Sequence, residues 1–417
     1  MMRLTLIVVL SALTSSGFSQ RFLSPTWLDL GPKNAFVGAY GFGSISSAQM
    51  SNSFLLNITR SEQLDSDIKD EQLSKFKELN NLIGGDYSIG LQGGFVLPNL
   101  CASVVFSATD EAHLGAVFPG DVGRIALGGN KQFAGEVANL NRTMFSSLRY
   151  QKIGVGLNFH PSEGVSYGGM ISFLNGESTA NLNVNQGSIY TSLIGDSVLL
   201  DLKGSAYYSD TSNSGFLKHN GGGASVDLFF TQHVEAFGSI WEVNALLMNM
   251  GMIQWHPETE AYIVDTNVLA TGIEVNDLSN AQSAINANNL EDSLLGGVRS
   301  GLSRRTTNQI TPGYMQLEIK RDVASGLEAG AGVVVRWQTI SRTYSWLNVG
   351  YRFSRQLAII SEFGYGGYGS FQAGLGASYR NERFAATLRI ANIEAAIAPK
   401  TFGGITLGCG VQYFLGT

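Results

Sequence analysis

Five histidines, two cysteines and scattered acidic residues are what this 417-residue chain offers for chemistry. Nucleophilic hydrolysis needs a Ser or Cys held against a His, with backbone donors for the oxyanion. The histidines are His113, His160, His219, His233 and His256. The run His219-Asn-Gly-Gly-Gly223 has the composition of an oxyanion-hole turn, yet no Gly-x-Ser-x-Gly elbow accompanies it, so it reads as a hairpin tip. His160-Pro161 and His256-Pro257 read as strand ends near an interface. Cys101 and Cys409 lack metal-ligand spacing and are too few for a disulfide framework, so both read as small apolar strand residues. The pairs Asp65/Asp67 and Glu291/Asp292 fall on helical segments where solvated charge is expected, and no calcium loop occurs. No catalytic, metal-binding or cofactor-binding residue is expected; the chain reads as a non-enzyme that needs no cofactor.

The elements that would carry any site are strands. In 327–337, Leu327, Ala329, Ala331, Val333, Val335 and Trp337 form one row, and Glu328, Gly330, Gly332, Val334 and Arg336 the other. The same parity returns at 347–353, 371–380, 383–390 and 406–415, and in weaker copies at 87–97, 101–108, 153–160, 165–174, 198–208, 222–230 and 241–250. Most of the clear runs are close to the 9 to 11 residues that a tilted strand needs to cross a hydrocarbon layer. Aromatics such as Trp337, Tyr351, Phe353, Tyr365, Phe371, Tyr379 and Phe384 sit at run ends, where interfacial girdles belong. Only 14% of residues are charged and 51 are Gly, while mean hydropathy is +0.06. A soluble sandwich would show a charged outer face. An alternation that cancels between lipid and lumen explains the balance instead. The fold class expected is all-β, a transmembrane antiparallel β-barrel of about 14 strands, within 12 to 16.

The first residues read as a secretory signal: Arg3, an apolar run over 4–13, then small polar residues, with cleavage between Ser19 and Gln20. Three regions are expected: the signal at 1–19, an N-terminal plug or hatch with one helix at 20–86, and the barrel at 87–417. Helical spacing at 64–83 and 278–295, each ending at a Gly pair, predicts two short helices, the second as an insertion in the barrel. Localisation is therefore the cell outer membrane.

Parity also selects the residues most worth attention. Glu318, Glu328, Arg336, Arg352, Glu362, Arg380 and Arg389 fall on the lumen row. Buried charges must pair or meet water, so a mixed-sign row implies either salt bridges bracing the wall or a wet solute path. The net charge of -6 and scattered basic residues exclude nucleic acid as a partner. Expected partners are outer-membrane lipid, the barrel-assembly machinery, and a small hydrophobic ligand or an outer-membrane complex.

The block at 244–255, Asn-Ala-Leu-Leu-Met-Asn-Met-Gly-Met-Ile-Gln-Trp, followed by 262–275 with Gly272-Ile273-Glu274, resembles a block in Bacteroidota outer-membrane barrels of unknown function. The stretch from Leu127-Gly-Gly-Asn130 to Leu174-Asn-Gly176 is similar to that family's middle region. More distantly the layout is similar to FadL-like and PorV-like barrels. The resemblance implies about fourteen strands with an N-terminal plug, and it carries no functional residue across. FadL relatives carry hydrophobic molecules and PorV-like proteins act with a secretion apparatus. The first expectation is thus a barrel that passes or binds a small, apolar solute through a partly plugged lumen. The alternative is a non-transporting structural or assembly partner, and an outer-membrane hydrolase comes third.

Overall fold

The structure is a computed structural model that describes residues 35–59, 65–271 and 302–415. Its strands in chain order are β1 (Ala35–Ser47), β2 (Asn81–Leu97), β3 (Ala102–Phe118), β4 (Val137–Asn139), β5 (Thr143–Ser162), β6 (Val165–Thr191), β7 (Ser197–Tyr208), β8 (Gly221–Ala236) and β9 (Ser239–Trp255). They continue with β10 (Glu260–Thr271), β11 (Leu302–Arg304), β12 (Thr307–Ile310), β13 (Gly313–Ala324), β14 (Leu327–Trp337) and β15 (Tyr344–Arg352). The last are β16 (Leu357–Gly366), β17 (Phe371–Arg380), β18 (Phe384–Ala391) and β19 (Gly403–Leu415). Among the described residues four α-helices join them: α1 (Asn52–Thr59), α2 (Ser66–Lys75), α3 (Gly120–Gly128) and α4 (Ile393–Ile397).

All of these strands but β4, β7, β10, β11 and β12 pair as antiparallel neighbours in one closed ring, a 14-stranded barrel among the described residues. Closure runs through β1, which pairs with β2 on one side and β19 on the other over its whole length. In a bilayer an unpaired strand edge is prohibitively costly, so the ring must close. Connections at one end are short. The β8–β9 hairpin turns at Phe237 and Gly238, both left-handed (φ 55 and 67) as a two-residue hairpin turn requires. At the other end the segments 48–80, 119–142, 256–312 and 392–402 carry the described helices and small strands. Short turns on the periplasmic side and long loops outside are the rule for such barrels.

The outward row is apolar around the wall: Leu91 (65% exposed), Ile153 (63%), Ile171 (66%) and Leu347 (63%) lie bare, with Leu375 and Leu388 beside them. No water-soluble surface carries a belt of this extent. No described helix is long and apolar enough to cross a membrane.

Several expectations meet a different outcome. Part of the region expected as a plug is wall: β1 pairs with β2 and β19, α1 and α2 follow it in the connection at the long-loop end, and β2 begins at Asn81. The Gly-rich stretch serves pairing, since a Cβ at Gly38 would lie 2.8 Å from the Val411 carbonyl oxygen. The helix expected over 64–83 is Ser66–Lys75, and its later apolar residues Leu82 and Ile83 belong to β2. The alternating run at 198–208 is a real strand, β7, but it pairs with an overhang of β6 and with β10 rather than in the ring. Cys101 is a left-handed turn residue (φ 45), not a strand residue, whereas Cys409 lies in β19; both are exposed. The signal, residues 20–34 and the helix expected at 278–295 lie outside the described residues.

Candidate functional site in the barrel lumen

The inward rows of the first half bring acids and bases into contact across the lumen. Asp86 on β2 accepts from Arg336 on β14, Nη1 to Oδ2 at 2.9 Å and Nη2 to Oδ1 at 2.7 Å. Around the ring β14 lies seven strands from β2 in either direction, so this pair spans the barrel from wall to wall. His113 on β3 holds the other side of Asp86, Nδ1 to Oδ1 at 2.7 Å. Its Nε2 faces the Tyr150 hydroxyl at 3.4 Å and Glu111 Oε2 at 3.9 Å.

The chain of bonds continues. Tyr150 on β5 donates to Glu111 Oε2 at 2.8 Å, and Asn249 Nδ2 donates to the same oxygen at 3.0 Å. Lys152 Nζ then donates to Asn249 Oδ1 (2.5 Å) and to Asp227 Oδ2 (2.6 Å). Asn249 reaches this position because β9 bulges there: it is left-handed (φ 58) and the β8–β9 register slips opposite Asp227. Its own amide donates to Asp227 Oδ1 at 2.7 Å. A bulge re-aims one side chain without ending the strand, and Asn tolerates the left-handed conformation. The result is a buried crossbar in which every ionised group has an opposite charge in reach, the condition under which such groups are tolerated away from water.

The rim leans over this crossbar. Tyr368, between β16 and β17, is 1% exposed, and a Cβ added at Gly84 on β2 would meet its ring at 2.1 Å. The Arg336 guanidinium lies 5.3 Å from the centre of that ring.

Beside the polar bar the lumen holds an apolar cluster set among buried polar side chains such as Asn158, Gln316, Gln372 and Gln412. Phe36, Val105, Met170, Phe229, Leu246, Met248, Val334, Trp346 and Phe414 pack with Tyr314 and Tyr344 into one buried cluster drawn from strands all around the ring. A second cluster of Leu148, Tyr150, Leu174, Ile253 and Trp255 lies toward the long-loop end of β5, β6 and β9. Glycine on the facing strand makes the space: a Cβ at Gly332 would lie 2.2 Å from the Trp346 indole.

Of the seven lumen-row residues singled out by parity, Arg336 joins the crossbar. Glu362 pairs with Arg389 and accepts from the Tyr344 hydroxyl at 3.2 Å. Glu318 accepts from Asn348 at 3.0 Å. Arg380 lies 5.2 Å from the centre of the Phe414 ring. Glu328, Arg352, Arg380 and Arg389 together line a cavity of about 480 Å3 at the short-turn end of β14 to β18. Sequence reading missed Asp86, Glu111, His113, Lys152, Asp227 and Asn249. The signal that would have found five of them is the same alternation, followed through the inward rows of β2, β3, β5 and β8; the bulge hides Asn249.

The only side-chain partners bonded to a described histidine are Asp86, Tyr150 and Asn175, with carboxylates of Glu111 and Glu242 nearby. Among the described residues no group of three or more His, Cys, Asp or Glu could hold a metal ion.

Solved structures similar to this chain include the Pseudomonas putida toluene transporter TodX (TM-score 0.45, 8% identity, covering 95% of this chain and 95% of that one). A Pseudomonas aeruginosa FadL homologue (TM-score 0.43, 10% identity, 94% and 93%) is also similar. So is the Ralstonia pickettii toluene transporter TbuX (TM-score 0.41, 9% identity, 92% and 89%). No curated protein matches by sequence. A family model does match, over residues 33–388: this 14-stranded barrel belongs to the Family of unknown function (DUF5723).

Proposed function

We propose that the barrel binds and passes a small apolar solute through its lumen, with the Arg336–Asp86–His113 crossbar as the constriction toward the outside. The observation that carries this reading is the apolar cluster inside the ring. A diffusion porin for hydrophilic solutes keeps a polar, water-filled interior. Here Phe36, Trp346 and Phe414 face inward instead, and each such side chain gains about 1.5–3 kcal/mol by leaving water. An apolar molecule entering this space exchanges one apolar surface for another, and its passage needs both the crossbar and the packed cluster to shift.

The test is transfer of a small apolar fluorescent probe across proteoliposomes, with ion conductance measured in parallel. Wild-type protein is expected to speed probe transfer over empty liposomes while conducting ions poorly, and Trp346→Glu is expected to suppress transfer. A probe rate equal to that of empty liposomes removes the reading. One observation favours a second reading: the wall-to-wall ion pair is a brace, as expected of a non-transporting structural or assembly partner. Co-purification of a stable outer-membrane complex together with silent transfer assays selects that alternative.

A further inference from the structure

The cavity of about 480 Å3 at the short-turn mouth has a different chemistry from the apolar cluster above it. We infer that it is a binding site for a small oxyanion, a carboxylate or a phosphate, on the periplasmic face of the barrel. Three arginines, Arg352 on β15, Arg380 on β17 and Arg389 on β18, line it against a single carboxylate, Glu328 on β14. Arg389 is also held by Glu362 deeper in the lumen, which fixes its guanidinium at the inner wall of the cavity.

Arg352 and Arg380 lie at strand ends that the short turns pin: the Arg352 amide donates to the Gly326 carbonyl at 2.7 Å and the Arg380 amide to the Gln356 carbonyl at 2.8 Å. Both side chains are exposed. Gly350 leaves room at the floor, since a Cβ there would meet nothing closer than 3.7 Å. A Cβ at Gly376 would lie 2.8 Å from Ile360 Cγ2 and 3.2 Å from Arg389 Cγ, so a larger residue there would press on both. The Ser378 hydroxyl adds an uncharged donor.

The physical case rests on this density of guanidinium groups. Planar guanidinium forks bind carboxylate and phosphate oxygens in pairs. Excess positive charge inside a low-dielectric wall focuses its field on the mouth and draws anions there. A cavity of this size matches small-molecule sites, which begin at about 300 Å3. The charged lining residues Glu328, Arg352, Arg380 and Arg389 all fall on the lumen row, so the ligand is a free solute that enters at the mouth. The inference goes beyond the apolar-solute reading and does not depend on it, since the measurement is equilibrium binding rather than transfer.

The test is isothermal titration of the full-length barrel in a neutral detergent at low ionic strength, with inorganic phosphate, benzoate and uncharged benzamide as probes. Saturable binding of phosphate or benzoate, and none of benzamide, is expected. Arg352→Gln/Arg380→Gln is expected to weaken anion binding at least about ten-fold, as loss of charge-assisted bonds implies. Glu328→Gln is expected to tighten it, which keeps the inference testable should the double variant fail to fold. Absence of saturable anion binding, equal binding of benzamide, or unchanged affinity in both variants overturns it.

Discussion

Cutting the Arg336–Asp86 pair is the most direct trial of the crossbar. Both side chains are almost completely enclosed, at 2% and 1% exposure. Arg336→Ala removes two charge-assisted bonds, of 2.7 and 2.9 Å, and leaves Asp86 with His113 as its remaining partner in the bar. Breaking one side of a buried pair costs about 3–5 kcal/mol, most of it from the stranded charge. Asp86→Ala strands Arg336 and is expected to cost a similar amount. Replacing both by apolar residues of similar size, Arg336→Met with Asp86→Leu, strands neither charge and is expected to recover most of the loss. The assay is equilibrium urea unfolding in lipid vesicles, followed by the fluorescence of the five tryptophans, for wild type and the three variants. The same variants in planar bilayers report on the constriction: Arg336→Ala is expected to raise ion conductance by opening the bar. The reasoning is refuted if each single variant unfolds within about 0.5 kcal/mol of wild type, or if the double variant loses the sum of the two.

Three further outcomes are expected. Leu347→Arg, on the bare outward row of β15, should destabilise the barrel by about 2–4 kcal/mol in vesicles, whereas a polar substitution at the lumen-facing Asn348 next to it should not show that depth-dependent penalty. In intact cells a membrane-impermeant maleimide should leave Cys101 unlabelled until the periplasm is opened, and Cys409 should resist aqueous reagents throughout; labelling of Cys101 from outside would reverse the orientation. Burial pushes the Glu394 carboxyl on α4 above the usual carboxylate range, although it accepts from the Ala373 amide at 2.7 Å. A raised folded-state value means the folded loop binds more protons, so its stability is greatest at acid pH and falls as pH rises from the ordinary carboxylate range toward the raised one. Hydrogen exchange at the Ala373 amide should follow that slope, and Glu394→Gln should flatten it.

What the residues alone decided is the wall. A barrel is one layer thick, so position in the strand sets whether a side chain meets lipid or lumen, and a period of two is local information. The rows of β14 to β19 could therefore be read from their own residues, Leu347 and Leu375 outward and Arg336 and Glu362 inward, together with the strand number. Parity names the side but neither the height nor the partner. Tertiary structure decided that β7 leaves the ring, that β1 closes it instead of plugging it, and that Arg336 meets Asp86 across seven strands. The ion pair depends on ring closure, which brings residues 250 positions apart to bonding distance, and the bulge at Asn249 adds its own side chain to the bar. No local pattern encodes such a meeting, because its energy appears only once the walls stand opposite one another.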